Sequence, residues 1–483
     1  MAPAVTIAAF ESGDESPHSK TTKKFGKVTL VLVNTDPSPA TSLRQFIGSF
    51  RPWGKFDEGG TAALLERLGC GLFLVLLLIG FPIAVGRVVQ NGGSDFPDFY
   101  AAGKYVWEHG ARIPDSNLGR YLPSVDIPWV VATWLPLPLA ASIWYLLGCF
   151  SWFGLLHAIG RHLLADADQR ERRRATLLAG LLAVPLAVDG LCVGAFHVLM
   201  VWLMLAGLGR VSRGRSLSGG MLLGLAVWVK LLPALGVAYL LLKRKWLPAA
   251  VAVACALAID IGLSLMAFGP QTAWQEHVNW WNTAAVGSVN RQLTIWGPTD
   301  EDRLSNQSVA VALRRLLTRL GDGGNGPPVQ VAVADLSRGQ VKAVYAAAMA
   351  LLALGVGWVC RRPARSLSRG QWATEIALIV LATLWFSPVV WSYHPTAATP
   401  ALALIFSRRL HHRRLSWTVG LLWLLGMVLL GWPAARACAD LLWVSLLVGA
   451  ALTATSPPAA AHEVLSAASD DRPPLPVRKR EAA

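Results

Sequence analysis

The sequence predicts an all-α fold, a polytopic integral membrane protein of about 11–12 transmembrane segments. Three observations carry this. Of 483 residues, 54% are hydrophobic and 15% charged, where a soluble domain carries about a quarter charged residues. The apolar residues come in runs of about twenty, the length that crosses roughly 30 Å of hydrocarbon. The basic residues sit in short clusters between those runs, which is the positive-inside pattern. The net charge of +15 is therefore spread over turns. No contiguous basic face of the kind nucleic acid requires is formed. The six cysteines are scattered and make no C-x-x-C pair, so they are read as small packing residues rather than zinc ligands or a disulfide framework.

Taken in order, residues 1–67 are polar and read as a disordered cytoplasmic tail. No apolar core followed by a cleavage site marks a secretory signal there. Residues 68–455 form the membrane domain, with a first span at 69–88. The loop 89–138 that follows ends in an apolar piece broken by Pro128, Pro136 and Pro138, expected to be interfacial or re-entrant. Further spans are expected at 139–160, 175–193 and 195–209. Residues 217–242 are apolar, with basic residues at both ends and Lys230-Leu231-Leu232-Pro233 in the middle. One long span would put Lys243-Arg244-Lys245 on the wrong side. Two half-length helices meeting near Lys230–Pro233 keep both ends inside, and broken helices are tolerated where the freed backbone lines a cavity. A span at 245–268 leads into a second outer loop, 269–339, rich in Trp. Spans at 341–360, 372–391, 396–407, 415–432 and 439–455 precede a Pro/Ala-rich, disordered tail at 456–483. This arrangement places every basic cluster on one side and the acidic and aromatic motifs on the other.

On that second side Asp95 and Asp98 are three residues apart and share a face if helical. Asp95, or Ser94, could simply cap a short helix that Pro97 helps to start. The functional reading is a general base, which supplies on the order of 10²–10⁴-fold when it takes the proton of an attacking hydroxyl. Lys230 sits mid-span, at an insertion cost of roughly 2.5–3.5 kcal/mol, so it faces a cavity or a partner. A lipid phosphate suits it, and so does an ion pair with Asp260 or Asp189. His394, in Trp391-Ser392-Tyr393-His394, is either an interfacial histidine or a donor to phosphate oxygens. His197 opens a span on the outer side. Asn306-Gln307-Ser308 matches a glycosylation sequon, a weak three-residue signal. No H-E-x-x-H or glycine-rich phosphate loop appears, and no Asp-x-Asp set in a nucleotide-sugar fold.

With these residues in hand, the chain between about 70 and 430 resembles glycosyltransferase family 87, polytopic enzymes of the GT-C type. Asp95-Phe96-Pro97-Asp98-Phe99-Tyr100-Ala101-Ala102 is similar to that family's first outer loop, Asp-Phe-x-x-Tyr-Tyr-x-Ala. Tyr121-Leu122-Pro123 with Leu135-Pro136-Leu137 and Trp144 matches a second element. Gly220 to Pro233, then Asn306-Gln307-Ser308 with Arg314, then Ser387, Pro388, Trp391 and His394 match three more, in order. Two departures stand out. The family's Gly-Gln-x-Asn is Gly194-Ala195-Phe196-His197 here, and Asp98 replaces a commoner apolar residue.

The resemblance implies a polyprenyl-monophosphate sugar donor, often mannose, and an inverting transfer with no metal or other cofactor. It implies Asp95 as the base, with Asp98 as the other carboxylate that could serve. Tyr100, Tyr121, His197, Lys230, Asn306, Trp391 and His394 are then the expected substrate-binding set. The expected acceptor is a glycolipid or glycan, and the expected setting is the cell membrane, with the site on the non-cytoplasmic side. A transporter or flippase of lipid-linked saccharides stays open as the alternative. Transporters place polar groups at the midplane between repeats, whereas here they gather in outer loops and no repeat is visible.

Overall fold

The computed structural model describes residues 61–90, 95–113, 121–285, 304–319, 329–408 and 412–456. Most of the two expected tails therefore lies outside the described residues. The first helix begins earlier than expected, at Thr61. Among the described residues the chain is helical and holds no strand. Five helices are long and apolar enough to cross a membrane: α1 (Thr61–Val89), α4 (Leu137–Ala158, extended by a π-turn to Leu163), α5 (Gln169–Val193), α9 (Trp246–Trp280) and α11 (Arg338–Val359). The chain is a multi-pass membrane protein.

The remaining apolar helices are shorter than a full span. They are α6 (His197–Val211), α7 (Ser216–Val229), α8 (Ala234–Leu242), α12 (Arg369–Trp385), α13 (Thr399–Ser407), α14 (Arg413–Leu429) and α16 (Asp440–Ala454). Short helices are tolerated inside such a bundle because neighbouring helices satisfy the backbone beyond their ends. Residues 371–385 of α12 and nearly all of α13 are buried, so these two helices form the centre. By contrast α1 and α11 turn most of their surface outward.

The break expected within 217–242 is present. Lys230 is extended (φ −159°, ψ 137°) and Pro233 opens α8. Lys243, at the far end of α8, donates to the carbonyls of Cys360 and Arg362, at the base of α11. Arg213, just before α7, donates to the carbonyl of Arg161, and Arg369 pairs with Asp166. Both ends of the α7–α8 hairpin thus lie at the basic end of the bundle, with Lys230 at its tip. Two glycines of α7 fit it against α9: a Cβ on Gly220 would meet the Pro248 carbonyl at 2.7 Å, and one on Gly224 the Ala252 carbonyl at 2.5 Å. Small residues allow such close backbone approach between membrane helices.

The expected loops are more helical than the sequence suggests. Residues 89–138 contain α2 (Phe96–His109), a 3₁₀ turn (Pro123–Asp126) and the short α3 (Trp129–Ala132), as the prolines foretell. The helix α9 kinks at Gly269 (φ 74°, ψ 165°) and runs on to Trp280, where a loop was expected. Another short helix, α10 (Val309–Leu317), follows Ser308, and α15 (Pro433–Ala437) precedes α16. The same tetrapeptide, Ser-Arg-Gly-Gln, opens both α11 and α12. In each case the serine and glutamine form a reciprocal capping box.

Candidate active site

The end of the bundle opposite the basic cluster is organised by an aromatic layer. Phe99 stacks on Trp129 at 4.9 Å, and Phe196 meets Phe99, Trp129 and Trp144 edge-on at 4.9–5.5 Å. Tyr121 packs on Phe99 and Phe196, while the Tyr100 hydroxyl donates to the Leu135 carbonyl at 2.9 Å. Both expected substrate-binding tyrosines therefore help to build this layer. Gly103 lets α2 lie flat on it, since a Cβ there would meet the Trp129 backbone at 2.4 Å.

This layer fixes α2, and with it the two carboxylates. Asp95 occupies the N-cap position, but its carboxylate does not cap the helix. The capping alternative raised by the sequence is thus not what Asp95 does. Its backbone N–H donates to the Val193 carbonyl at 2.7 Å, at the end of α5. Asp98 lies in the first turn of α2, and desolvation of its carboxyl raises its pKa from the ordinary value.

The turn after Val193 connects Asp95 to the second half of the site. Gly194 is left-handed (φ +82°), and a Cβ on it would approach Phe96 at 2.8 Å. Three residues later the His197 ring, buried, donates from Nε2 to the carbonyl of His394 at 2.7 Å. The His394 Nδ1 accepts the backbone N–H of Trp391 at 2.7 Å. That bond leaves the proton of the neutral ring on Nε2. Nε2 lies 3.1 Å from Lys230 Nζ. Two donors, a ring N–H and an ammonium, thus lie side by side, and an anion oxygen lying against the pair could accept from each.

Asn306 supports this turn from below. Its Oδ1 accepts from the backbone N–H groups of Ser308 and Val390, each at 3.1 Å, and Gln307 N–H donates to the Val390 carbonyl at 2.6 Å. The sequon is fully buried and acts as a staple between α10 and the Trp391–His394 turn. Ser392 Oγ donates to Asp189 Oδ2 at 2.6 Å, and Arg87 lies 3.6 Å from the other carboxylate oxygen. Asp260 accepts from Ser124 Oγ at 2.6 Å and pairs with His277 at 2.9 Å. The structure joins Lys230, His394, His197 and Trp391 directly, joins Asn306 to them through Val390, and joins Asp95 through the 193–197 turn. Sequence reasoning missed the Arg87–Asp189–Ser392 link, because nothing in residue spacing pairs positions on three separate elements. Among the described residues no group of three His, Cys, Asp or Glu side chains comes together, and all six cysteines are free thiols.

The profile of glycosyltransferase family 87 matches residues 121–388. The chain is 26% identical over 375 residues to a polyprenol-phosphate-mannose-dependent alpha-(1-2)-phosphatidylinositol pentamannoside mannosyltransferase of Mycobacterium tuberculosis, covering 75% of this chain and 78% of that protein. The Mycolicibacterium smegmatis protein of the same description is 28% identical over 78% of this chain and 84% of its own length. A polyprenol-phosphate-mannose-dependent alpha-(1-2)-phosphatidylinositol mannoside mannosyltransferase of M. smegmatis is 30% identical over 68% of this chain and 72% of its own length. No solved structure matches the chain.

Proposed function

The chain belongs to glycosyltransferase family 87, and from that premise we propose that it moves a mannosyl residue from a polyprenyl phosphate to a phosphatidylinositol-mannoside type of glycolipid on the non-cytoplasmic side. It is a glycosyltransferase embedded in the membrane. The donor and acceptor classes are those named for its relatives. The observation that carries the donor reading is the convergence of Lys230 Nζ and His394 Nε2 at 3.1 Å.

In this reading an oxygen of the donor phosphate lies against both groups and accepts from each. The acceptor hydroxyl attacks the anomeric carbon as the bond from that carbon to the phosphate oxygen breaks, inverting the centre. Asp95 takes the hydroxyl proton. The departing phosphate gains a negative charge, and Lys230 and the His394 N–H are placed to stabilise it as it forms. His197, which holds the carbonyl of His394, is a positioning residue in this scheme, and Asn306 is another.

The test is transfer from radiolabelled polyprenyl-phosphate mannose to membrane glycolipids, with purified protein and its Asp95→Asn variant side by side. Transfer by the wild type alone supports both the reaction and the base. Activity retained in Asp95→Asn would move the base to Asp98. No transfer by the wild type would overturn mannose as the sugar, with the Gly194–His197 departure as the place to look for the cause.

A further inference from the structure

A second feature of the fold concerns α11. This helix is held at its two ends. Near its start Val341 packs on Ala310 of α10, and at its base Lys243 grips the carbonyls of Cys360 and Arg362. Between these ties α11 stands away from α12 and α16, leaving an apolar cavity of about 470 Å³. That volume lies in the range of small-molecule sites, roughly 300–1,000 Å³. Leu351 both lines the cavity and is 69% exposed, so the cavity opens sideways to the hydrocarbon. Along α16 it runs from Leu442 to Thr453, roughly 16 Å at the rise of an α-helix.

Its outer end is formed by Val309, Ala312 and Leu313 of α10. This is the helix whose leading residues, Asn306 and Gln307, are bonded to Val390, next to the turn that presents His394. The outer end of the cavity is thus linked, through α10 and Val390, to the turn that carries His394, and the cavity descends from there along the helices.

We propose that this groove holds the polyprenyl chain of the lipid donor, an inference that rests on the donor reading above. The apolar chain joined directly to the phosphate must leave the Lys230–His394 point and enter the hydrocarbon, and this groove opens at α10, the helix tied through Val390 to the His394 turn. An acyl chain of a glycolipid acceptor is the competing occupant. It hangs on the lipid backbone, on the far side of the acceptor's sugars from the reacting hydroxyl, and so does not start at the phosphate.

Two glycines of α11 make the test. A Cβ added at Gly355 or Gly357 meets no atom within 4 Å, but only Gly355 lines the cavity. Gly355→Phe fills the groove and Gly357→Phe is the matched control. KM is measured for a long polyprenyl-phosphate mannose and for its two-isoprene geranyl counterpart. The expected result is that Gly355→Phe raises KM for the long donor by about tenfold, as losing the burial of a few methylenes would. KM for the geranyl donor should stay put, and Gly357→Phe should change neither. An equal rise for both donors, or none, overturns the groove.

If the wild type used neither donor, the donor reading itself would have failed. A diazirine-tagged polyprenyl phosphate without sugar then tests the groove alone. Crosslinks on α11 and α16 that exceed those of a diazirine-tagged phosphatidylglycerol support it. Equal labelling by the two, or labelling elsewhere, makes the groove an ordinary lipid-facing cleft and overturns the proposal.

Discussion

The Nε2 of His197 donates to the carbonyl oxygen of His394 at 2.7 Å, so the first residue of α6 fixes the turn that aims the second histidine at Lys230. His197 stands where the family commonly carries Asn in Gly-Gln-x-Asn. The structure gives His197 a backbone partner.

His197→Ala should leave the His394 carbonyl unsatisfied in a buried setting, at about 1–3 kcal/mol of stability. His197→Gln keeps a donor of similar reach. The expected outcome is a drop in kcat for Ala that Gln restores, with donor KM little changed. A purely structural role would instead appear as a lowered melting temperature with normal kcat in the protein that remains folded.

Lys230→Met removes the ammonium from the proposed phosphate site. Loss of one such preorganised donor costs on the order of 10²–10³ in kcat. Donor KM should rise as well, because the donor is already an anion in the ground state. Initial rates over a range of donor concentration check this. An unchanged donor KM would remove Lys230 from the phosphate.

Asp95 and Asp98 separate by pH. Partial burial raises the Asp98 carboxyl from its ordinary value. A base with a raised pKa loses activity at a higher pH on the acid side, since it protonates sooner as pH falls. With Asp95 as the base, Asp98→Asn should keep activity. It should also move the acid limb of kcat/KM slightly to lower pH, because a neighbouring negative charge is gone. Asp95→Asn should lose on the order of 10²–10⁴-fold. The profile of kcat/KM against pH for the three proteins distinguishes the two carboxylates.

Much of this was legible in the chain. Lys230-Leu231-Leu232-Pro233 announced a break because proline and a buried charge both argue against a straight span. The basic turns sorted the ends. Pro128, Pro136 and Pro138 marked α3 as a fragment. The helix after Gly269 was not legible, because its exposed tryptophans and polar residues carry no apolar period, and tertiary contacts such as His277 with Asp260 hold it. The partners in the site were also hidden. Asn306 bonds a backbone 84 residues away, and His197 one 197 residues away. Motif spacing reports residue types, and it is silent on whether a side chain meets a ligand or a carbonyl.

The base of α11 offers a stability test separate from the chemistry. Lys243 Nζ, buried, donates to Glu375 Oε2 at 2.6 Å, to the Cys360 carbonyl at 2.6 Å and to the Arg362 carbonyl at 2.7 Å. Tyr239 also donates to the same carboxylate oxygen, at 2.8 Å. Removing one partner of a buried pair leaves an uncompensated charge and costs about 3–5 kcal/mol, whereas replacing both is far milder. Lys243→Met should therefore lower the melting temperature in detergent sharply, and Lys243→Met with Glu375→Gln should recover much of it. The double variant still lacks the two bonds to the α11 carbonyls. If those bonds hold the groove open, it should keep a raised KM for the long-chain donor after its stability has returned. A double variant with normal stability and normal KM would show that the Val341–Ala310 contact alone holds α11 in place.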